Sequence, residues 1–233
     1  MPKLLTLIEK RHSSRVLFDP KRKVPKRDLQ KILEAARWAP TAHNMQNFEI
    51  VVVDDNKLLK RIGELHNAIS LTFVRENYRQ LSFSEAELRR KKVGVLGTGF
   101  PPAWRNPNAT AKEIKNADRG AFQERLIGSS STLCIVLYDP KRRAPASTND
   151  FLGAISLGCM MENMWLMAES LGIGFHVVSA LSAGKTEKEI KRMLHIPQHL
   201  RIAISSRLGY PVSSVRYLRV RRDVKDFVHH NAY

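Results

Sequence analysis

Residues 151–168, FLGAISLGCMMENMWLMA, constrain the fold more than any other stretch of this chain. A helix of this composition has no polar face, so it must be enclosed by lipid or by protein. Glu162 and Asn163 fall near its middle, and Gly153, Ser156 and Gly158 put small residues along it. That pattern predicts a helix over 150–171, closed by Gly172 and Gly174 and buried on nearly every side in a protein or dimer core rather than in a membrane. The rest of the chain must then supply the walls. Four short apolar runs read as strands: Phe48–Val53, Thr132–Tyr138, Phe175–Ser179 and Arg201–Leu208. One or several helical segments separate each from the next, which predicts an α+β fold with one mixed sheet covered by helices.

The helical segments follow from periodicity and punctuation. Residues 4–10 read as a short helix, and Pro25 opens a second with Leu29, Ile32, Leu33 and Ala36 on one face before Pro40 stops it. Residues 57–92 read as amphipathic and helical, with further helices over 110–127 and 186–194. The stretch 93–110 holds three glycines and three prolines and reads as a loop or lid. No repeat or low-complexity tract interrupts the pattern, so residues 1–233 read as a single domain with a variable insertion at about 66–118. From 211 onward the chain is extended and basic, with too little apolar surface to fold alone. Such an arm is expected to lie on another subunit.

Thirty-nine Lys and Arg stand against 22 Asp and Glu, a formal net charge of +17. This excess attracts polyanions and phosphorylated small molecules alike. The basic residues are dispersed, without zinc-ligand spacing, an aromatic-interleaved RNA motif or a basic heptad helix, so nucleic acid is not the expected partner. Two cysteines, Cys134 and Cys159, both in apolar surroundings, exclude a disulfide framework. Glu9 interrupts the apolar N-terminal run where a signal peptide would continue, and the expected location is the cytoplasm.

Several motifs fail on context. Gly94-Val95-Leu96-Gly97-Thr98-Gly99 has dinucleotide-like spacing, but four basic residues precede it and Pro101-Pro102 follow, where a strand and a helix start are needed. His195 and His199 are separated by Pro197, and His229-His230 point apart, which argues against a metal centre. No serine sits in a hydrolase elbow. Two clusters remain. Arg11-His12-Ser13-Ser14-Arg15 can offer guanidinium forks and hydroxyls to a phosphate. Pro40-Thr41-Ala42-His43-Asn44-Met45-Gln46-Asn47-Phe48 joins a helix to a strand with small side chains and amides suited to a flat heteroaromatic edge.

In order and spacing these clusters resemble the nitroreductase family of FMN enzymes, which shows R-R/H-S-x-R/K followed by P-S-A-x-N-x-Q-P-W. Further blocks agree: Ser170-Leu171-Gly172-Ile173-Gly174, the segment Val177-Val178-Ser179-Ala180, the turn Leu208-Gly209-Tyr210-Pro211, and the closing basic run Arg219-Val220-Arg221-Arg222. The departures are Asn47-Phe48 for Pro-Trp, Ser179-Ala180 for Glu-Gly or Gly-Gly, and Gln123 for a flavin-contacting Asn. Residues 66–118 match no family pattern.

The resemblance implies a central mixed, mainly antiparallel sheet flanked by helices, with the C-terminal arm exchanged in a homodimer. It implies an FMN phosphate held by Arg11, Ser13, Arg219 and Arg221, with His12 along the phosphate or ribityl chain and Arg15 beside the pyrimidine edge. Pro40, Thr41, Ala42 and Asn44 would reach the flavin from the other subunit. Gln123 would contact it, and Val177, Val178, Ser179 and Ala180 would cover one ring face. NAD(P)H, with a slight expectation for NADPH from the positive charge, would reduce the cofactor. Nitroaromatics, quinones or flavins would then accept the electrons in a ping-pong sequence that needs no protein nucleophile. The competing expectations are a dehalogenase-like or flavin-consuming relative, a flavin-binding module with little turnover, and a basic nucleic-acid-binding protein with none.

Overall fold

Alternation along Thr132–Tyr138 explains the centre of the molecule. Leu133, Ile135 and Leu137 enter one apolar cluster, and Cys134 and Val136 enter another on the opposite side. A strand that is apolar on both faces has to lie in a sheet covered on both faces. The computed structural model describes residues 3–65, 72, 74, 76, 82–97, 101–106, 108–117, 120–182, 184–213 and 218–233, the side chains of 115 and 120–123 excepted. It divides the chain into two units, residues 1–67 with 120–215, and residues 68–119 with 216–233.

The larger unit runs α1 (Lys3–Lys10), α2 (Lys26–Arg37), β1 (Glu49–Val53), α3 (Asn56–Glu64), α4 (Gly120–Gly128), β2 (Thr132–Tyr138), α5 (Phe151–Ser170), β3 (Gly174–Val178), α6 (Gly184–Met193) and β4 (Arg201–Gly209). The strands form one sheet in the order β1-β2-β4-β3. Where the sequence predicts a mixed sheet, all three pairings here are antiparallel. Leu59 and Ile62 of α3, Ile127 of α4 and Ile190 of α6 cover one face. Ile32 and Ala36 of α2 with Met160, Met164 and Ala168 of α5 cover the other.

Local chemistry sets the ends of these elements. Pro25 is the N-cap of α2, and the Asp55 carboxylate caps α3 by accepting from Leu58 N at 2.8 Å. Gly172, at φ +67°, takes the left-handed turn that stops α5, while Ile173 N donates back to Ala168 O at 2.9 Å. The β2–β4 pairing shifts register between Val136 and Leu137, whose partners are Ile204 and Ile202. Ala203 is thus passed over as a β-bulge. A one-residue shift reverses which face each later side chain takes. Ile202 accordingly packs on the α3 side and Leu208 on the α2–α5 side.

Three sequence expectations change. The helix predicted over 57–92 ends at Glu64, where Leu65 turns extended, and Glu85–Lys91 is a separate helix started by a Ser84–Glu87 capping box. The helix predicted over 110–127 is two, Ala111–Asn116 and Gly120–Gly128, the second opened by glycine, a poor helix former. Within one chain α5 is not buried on nearly every side. Met160, Met164 and Ala168, spaced by four, form its buried stripe, whereas Phe151 is 66% and Ile155 46% exposed. One sheet face and α2 cover only one side of a cylinder. By length and composition α5 could cross a membrane, but its stripe is seated on the sheet.

The smaller unit has its own cluster of Val74, Trp104, Ala109 and Ile114, in which Trp104 Nε1 donates to Ile114 O at 3.1 Å. Ser82–Phe83 pairs in parallel with Val95–Leu96, so the glycine-spaced stretch around 94–97 forms a short strand rather than a phosphate loop. Asp223 in the C-terminal tail forms an ion pair with Lys92. Much of the predicted lid, 66–71, 73, 75, 77–81 and 98–100, lies outside the described residues.

The turn Leu208-Gly209-Tyr210-Pro211 has a packing reason. Phe18, 1% exposed, bridges Pro211 and lies flat on two glycines. A Cβ at Gly209 would fall 2.7–2.8 Å from three atoms of the Phe18 side chain, and one at Gly174 would fall 2.8 Å from its ring. Gly209→Ala should therefore force the ring and its loop outward and destabilise the protein by about 1–3 kcal/mol. Denaturant melts of the two proteins measure it; an unchanged midpoint would show that the cradle yields freely.

Candidate functional site

The first predicted cluster lies on a loop that crosses the edge of the sheet. Among the described residues β3 is an edge strand, so one row of its backbone groups lacks a strand partner there. The loop supplies one: Ser14 N donates to Phe175 O at 2.8 Å. Before the crossing, His12 O accepts from Trp165 Nε1 of α5 at 3.1 Å. After it, Phe18 N donates to Ser129 Oγ at 3.2 Å, just beyond α4. The crossing itself is tight, with Arg15 N returning to Ser13 O at 3.0 Å.

This path sets the predicted side chains in different surroundings. Arg11 stacks over the Trp165 ring at 4.4 Å, and its Nε lies 2.9 Å from Glu162 Oε1. That Nε is buried and the carboxylate lies off its hydrogen-bonding direction, so the N–H is left without an acceptor. His12 donates from Nδ1 to Lys10 O at 3.2 Å and stands 3.8 Å from Glu169. Ser13 is half-buried and Arg15 exposed. A cation, a hydroxyl and an unsatisfied guanidinium N–H on five residues are a donor set that suits a phosphate ester.

The second predicted block continues from the same edge strand. Val177 is half-buried and Val178 buried, and a short 3₁₀ turn over Ser179–Ser182 follows, with Ser179 exposed and Ala180 half-buried. The Arg11–Arg15 loop and the Val177–Ala180 segment are therefore brought together by β3. Arg15 lies close enough to His176 that its charge helps to depress that imidazole's pKa.

The Pro40–Phe48 loop is held elsewhere. Ala42 N donates to Ser156 Oγ of α5 at 2.9 Å. Ser156 and Trp165 are nine residues apart, about half a turn around an α-helix, so the two loops grip opposite faces of α5. Within one chain they do not face one another. His43, Asn44 and Gln46 have φ of 50°, 52° and 47°, a left-handed stretch without glycine that is held by Gln46 N to Thr41 Oγ1 at 3.2 Å and Gln46 Nε2 to Asn44 Oδ1 at 3.0 Å. Such conformations cost energy and gather at functional sites. Pro40 and Asn44 are exposed, and Thr41 and Ala42 half-buried.

Of the remaining predicted residues, Arg219 and Arg221 are exposed in the smaller unit, Arg221 donating to Val220 O at 2.7 Å. The side chain of Gln123 lies outside the described residues. The nitroreductase family model matches residues 8–210. The chain belongs to the nitroreductase family. A curated Archaeoglobus fulgidus relative, named "Putative NADH dehydrogenase/NAD(P)H nitroreductase", is 41% identical over 228 residues, which is 97% of this chain and 90% of the relative. Among solved structures, a nitroreductase with bound FMN from Bacteroides fragilis has a TM-score of 0.62 at 18% identity, covering 99% of this chain and 100% of its own. Another with bound FMN, from Desulfitobacterium hafniense, has a TM-score of 0.62 at 20% identity and covers all of both chains. At these identities the structural likeness bears on the fold alone.

Sequence reading missed Arg207, its partner His176, and the role of Asn47. Arg207 is fully buried beneath the loop and donates from Nε to His176 Nδ1 at 2.8 Å. An arginine in the interior of a strand, between Ser206 and Leu208, was the available signal. Asn47, read only as a departure from the family pattern, clamps the next loop: Nδ2 donates to Asp139 O and Arg142 O at 2.9 and 2.8 Å, and Oδ1 accepts from Asp139 N at 3.1 Å. Proline could do none of this.

Burial pushes the His176 pKa down to about 3, with the Arg207 and Arg15 charges adding to the effect. Between pH 6.5 and about 3 the unfolded chain binds a proton here that the folded chain refuses. The stability is complete above pH 6.5 and is lost as the pH falls through that window. Removing the imidazole in His176→Phe should make the loss of denaturant midpoint from pH 7 to pH 4.5 smaller than in the natural protein. Equal losses would mean that the folded protein already carries a protonated His176.

Proposed function

We propose that this nitroreductase-family chain binds FMN and passes two electrons from NAD(P)H to nitroaromatic, quinone or flavin-type acceptors in a ping-pong sequence. The observation that carries the reading is the Ser14 N–H to Phe175 C=O bond across the edge strand. It ties the loop that carries Arg11, Ser13 and Arg15 to the edge strand that continues into Val177–Ala180. Bound FMN would supply the two-electron chemistry, as it is present in the solved relatives. The chain's own part is to bind and orient. Arg11 and Ser13, joined by Arg219 and Arg221, would take the phosphate, with His12 beside it. Arg15 would place positive charge where the reduced ring becomes negative. Val177, Val178, Ser179 and Ala180 would shield one ring face from water. Gln123 would add a contact.

We further propose that the working unit is a homodimer. Three observations support it. The Pro40–Asn44 loop and the Arg11–Arg15 loop sit on opposite faces of α5, so one ligand meets both only if a second copy contributes one of them. Leu4, Trp38 and Phe151, large apolar side chains on or next to α1, α2 and α5, are 62%, 72% and 66% exposed. A mainly apolar cleft of about 600 Å³ between α1, α2 and α5 is lined by Leu7, Ala35, Leu166, Met167 and the exposed Trp38. The basic tail beyond 211 would extend over the partner.

The purified protein should be yellow, or turn yellow with added FMN, and NAD(P)H should bleach it without oxygen. A folded sample that stays colourless with excess FMN would end the proposal. Arg15→Ala should fold normally, weaken FMN binding by about tenfold, the worth of one charge-assisted hydrogen bond, and slow its reduction. Stopping the chain after Pro211 should release FMN or break the dimer, which sedimentation and the visible spectrum report. A truncated chain still yellow and dimeric would remove the arm from the proposal.

A further inference from the structure

Arg207 is 0% exposed in the middle of the sheet, where an apolar residue would be expected. Its Nη2 donates to Ser14 O at 2.8 Å and to Val16 O at 2.5 Å. Its Nη1 donates to Leu126 O at 3.0 Å and its Nε to His176 Nδ1 at 2.8 Å. The guanidinium plane lies over the Phe18 ring, 4.1 Å from its centre. A buried guanidinium is expensive to desolvate, and a methionine or leucine fills such a position at less cost. What an apolar side chain lacks is direction. The planar fork specifies the orientation of several acceptors at once.

Two of those acceptors, the carbonyls of Ser14 and Val16, bracket Arg15. We propose that Arg207 is a positioning residue for Arg15, pinning the backbone on both sides of it so that the exposed guanidinium is aimed before any ligand arrives. His176 is the other half of the device. By accepting at Nδ1 it fixes the rotation of the Arg207 fork and carries its own ring proton on Nε2. Strand register supplies the direction as well. Arg207 stands directly opposite Leu133 of β2, and opposed residues share a face, so its side chain is directed toward Leu126 and away from α2 and α5. A loop ordered during folding loses less entropy on binding, so affinity gained through Arg15 depends on Arg207 without Arg207 touching the ligand.

The inference rests on the FMN-binding reading, and a double-mutant cycle separates the two. FMN dissociation constants are measured by quenching of flavin fluorescence for the natural protein, Arg15→Ala, Arg207→Lys and the double variant, with circular dichroism and thermal melts as the check on folding. Lysine keeps the charge but cannot form the fork. Arg15→Ala alone should weaken FMN by about tenfold. In the Arg207→Lys background the same change should cost about twofold or less, because an unaimed Arg15 has little left to lose. A full tenfold loss in both backgrounds would overturn the positioning role, since a merely structural Arg207 leaves Arg15's contribution intact. If Arg207→Lys does not fold, His176→Phe replaces it. That change removes only the Nε acceptor, and the Arg15→Ala penalty should fall to about threefold; a penalty still near tenfold overturns the proposal. If the natural protein does not quench FMN, or Arg15→Ala binds it unchanged, the FMN reading itself fails.

Discussion

The crossing of the edge strand by residues 11–18 is the constraint on which the rest of this structure depends. An open strand edge must find hydrogen-bond partners or be covered. Here the cover is the segment that carries the cationic residues, so protecting the sheet and presenting the candidate site are one act. The crossing is secured at three points. Trp165 holds it from the α5 side, Phe175 holds it at the edge, and Phe18 with Arg207 holds it on the far side. Phe18 can lie there only because Gly174 and Gly209 leave room for its ring. The glycine of the turn before Pro211 is therefore a packing requirement of the site as much as a turn residue.

α5 links this arrangement to assembly. A helix apolar on every side has more surface than one sheet and one neighbouring helix can cover. Its sheet-facing stripe completes the core, while its two other faces each dock a predicted ligand loop. The strained 43–46 turn is tied to one face through Ser156, and the Arg11–His12 end of the crossing loop is tied to the other through Glu162 and Trp165. Surplus apolar surface and divided loops have the same resolution in a second copy. Glu162 and Asn163, which argue in the sequence against a membrane span, also have partners here. Glu162 faces Arg11, and Asn163 Nδ2 donates to Ala35 O of α2 at 3.1 Å.

Much of the fold was legible because it rests on short-range pattern. Thr132–Tyr138 has the bounds its apolar run predicts, and α2, α5, α6 and the other three strands fall within two residues of theirs. The failures lie where pattern is ambiguous. Amphipathic, charge-rich residues 57–92 keep a helical period that says nothing of where helices break, and the break is made by Leu65 turning extended and by the capping box at Ser84. The candidate site was legible as residue types in order, but not as a shape. Nothing in the sequence tells that the Arg11–Arg15 and Val177–Ala180 segments meet over β3 while Pro40–Asn44 is carried on the other side of α5.

By itself, then, the sequence determined the inventory: which segments are strands and helices, which blocks place the chain in the nitroreductase family, and which side chains can bind an anion. These follow from spacing over a few residues, where backbone geometry allows only two periods. The tertiary structure alone decided that Arg207, a strand residue, reaches residues 191 and 193 positions away in the chain. That outcome depends on which residue of β2 stands opposite Arg207, and register is set by the fit of both strands and both packed faces together. No local run of residues encodes it.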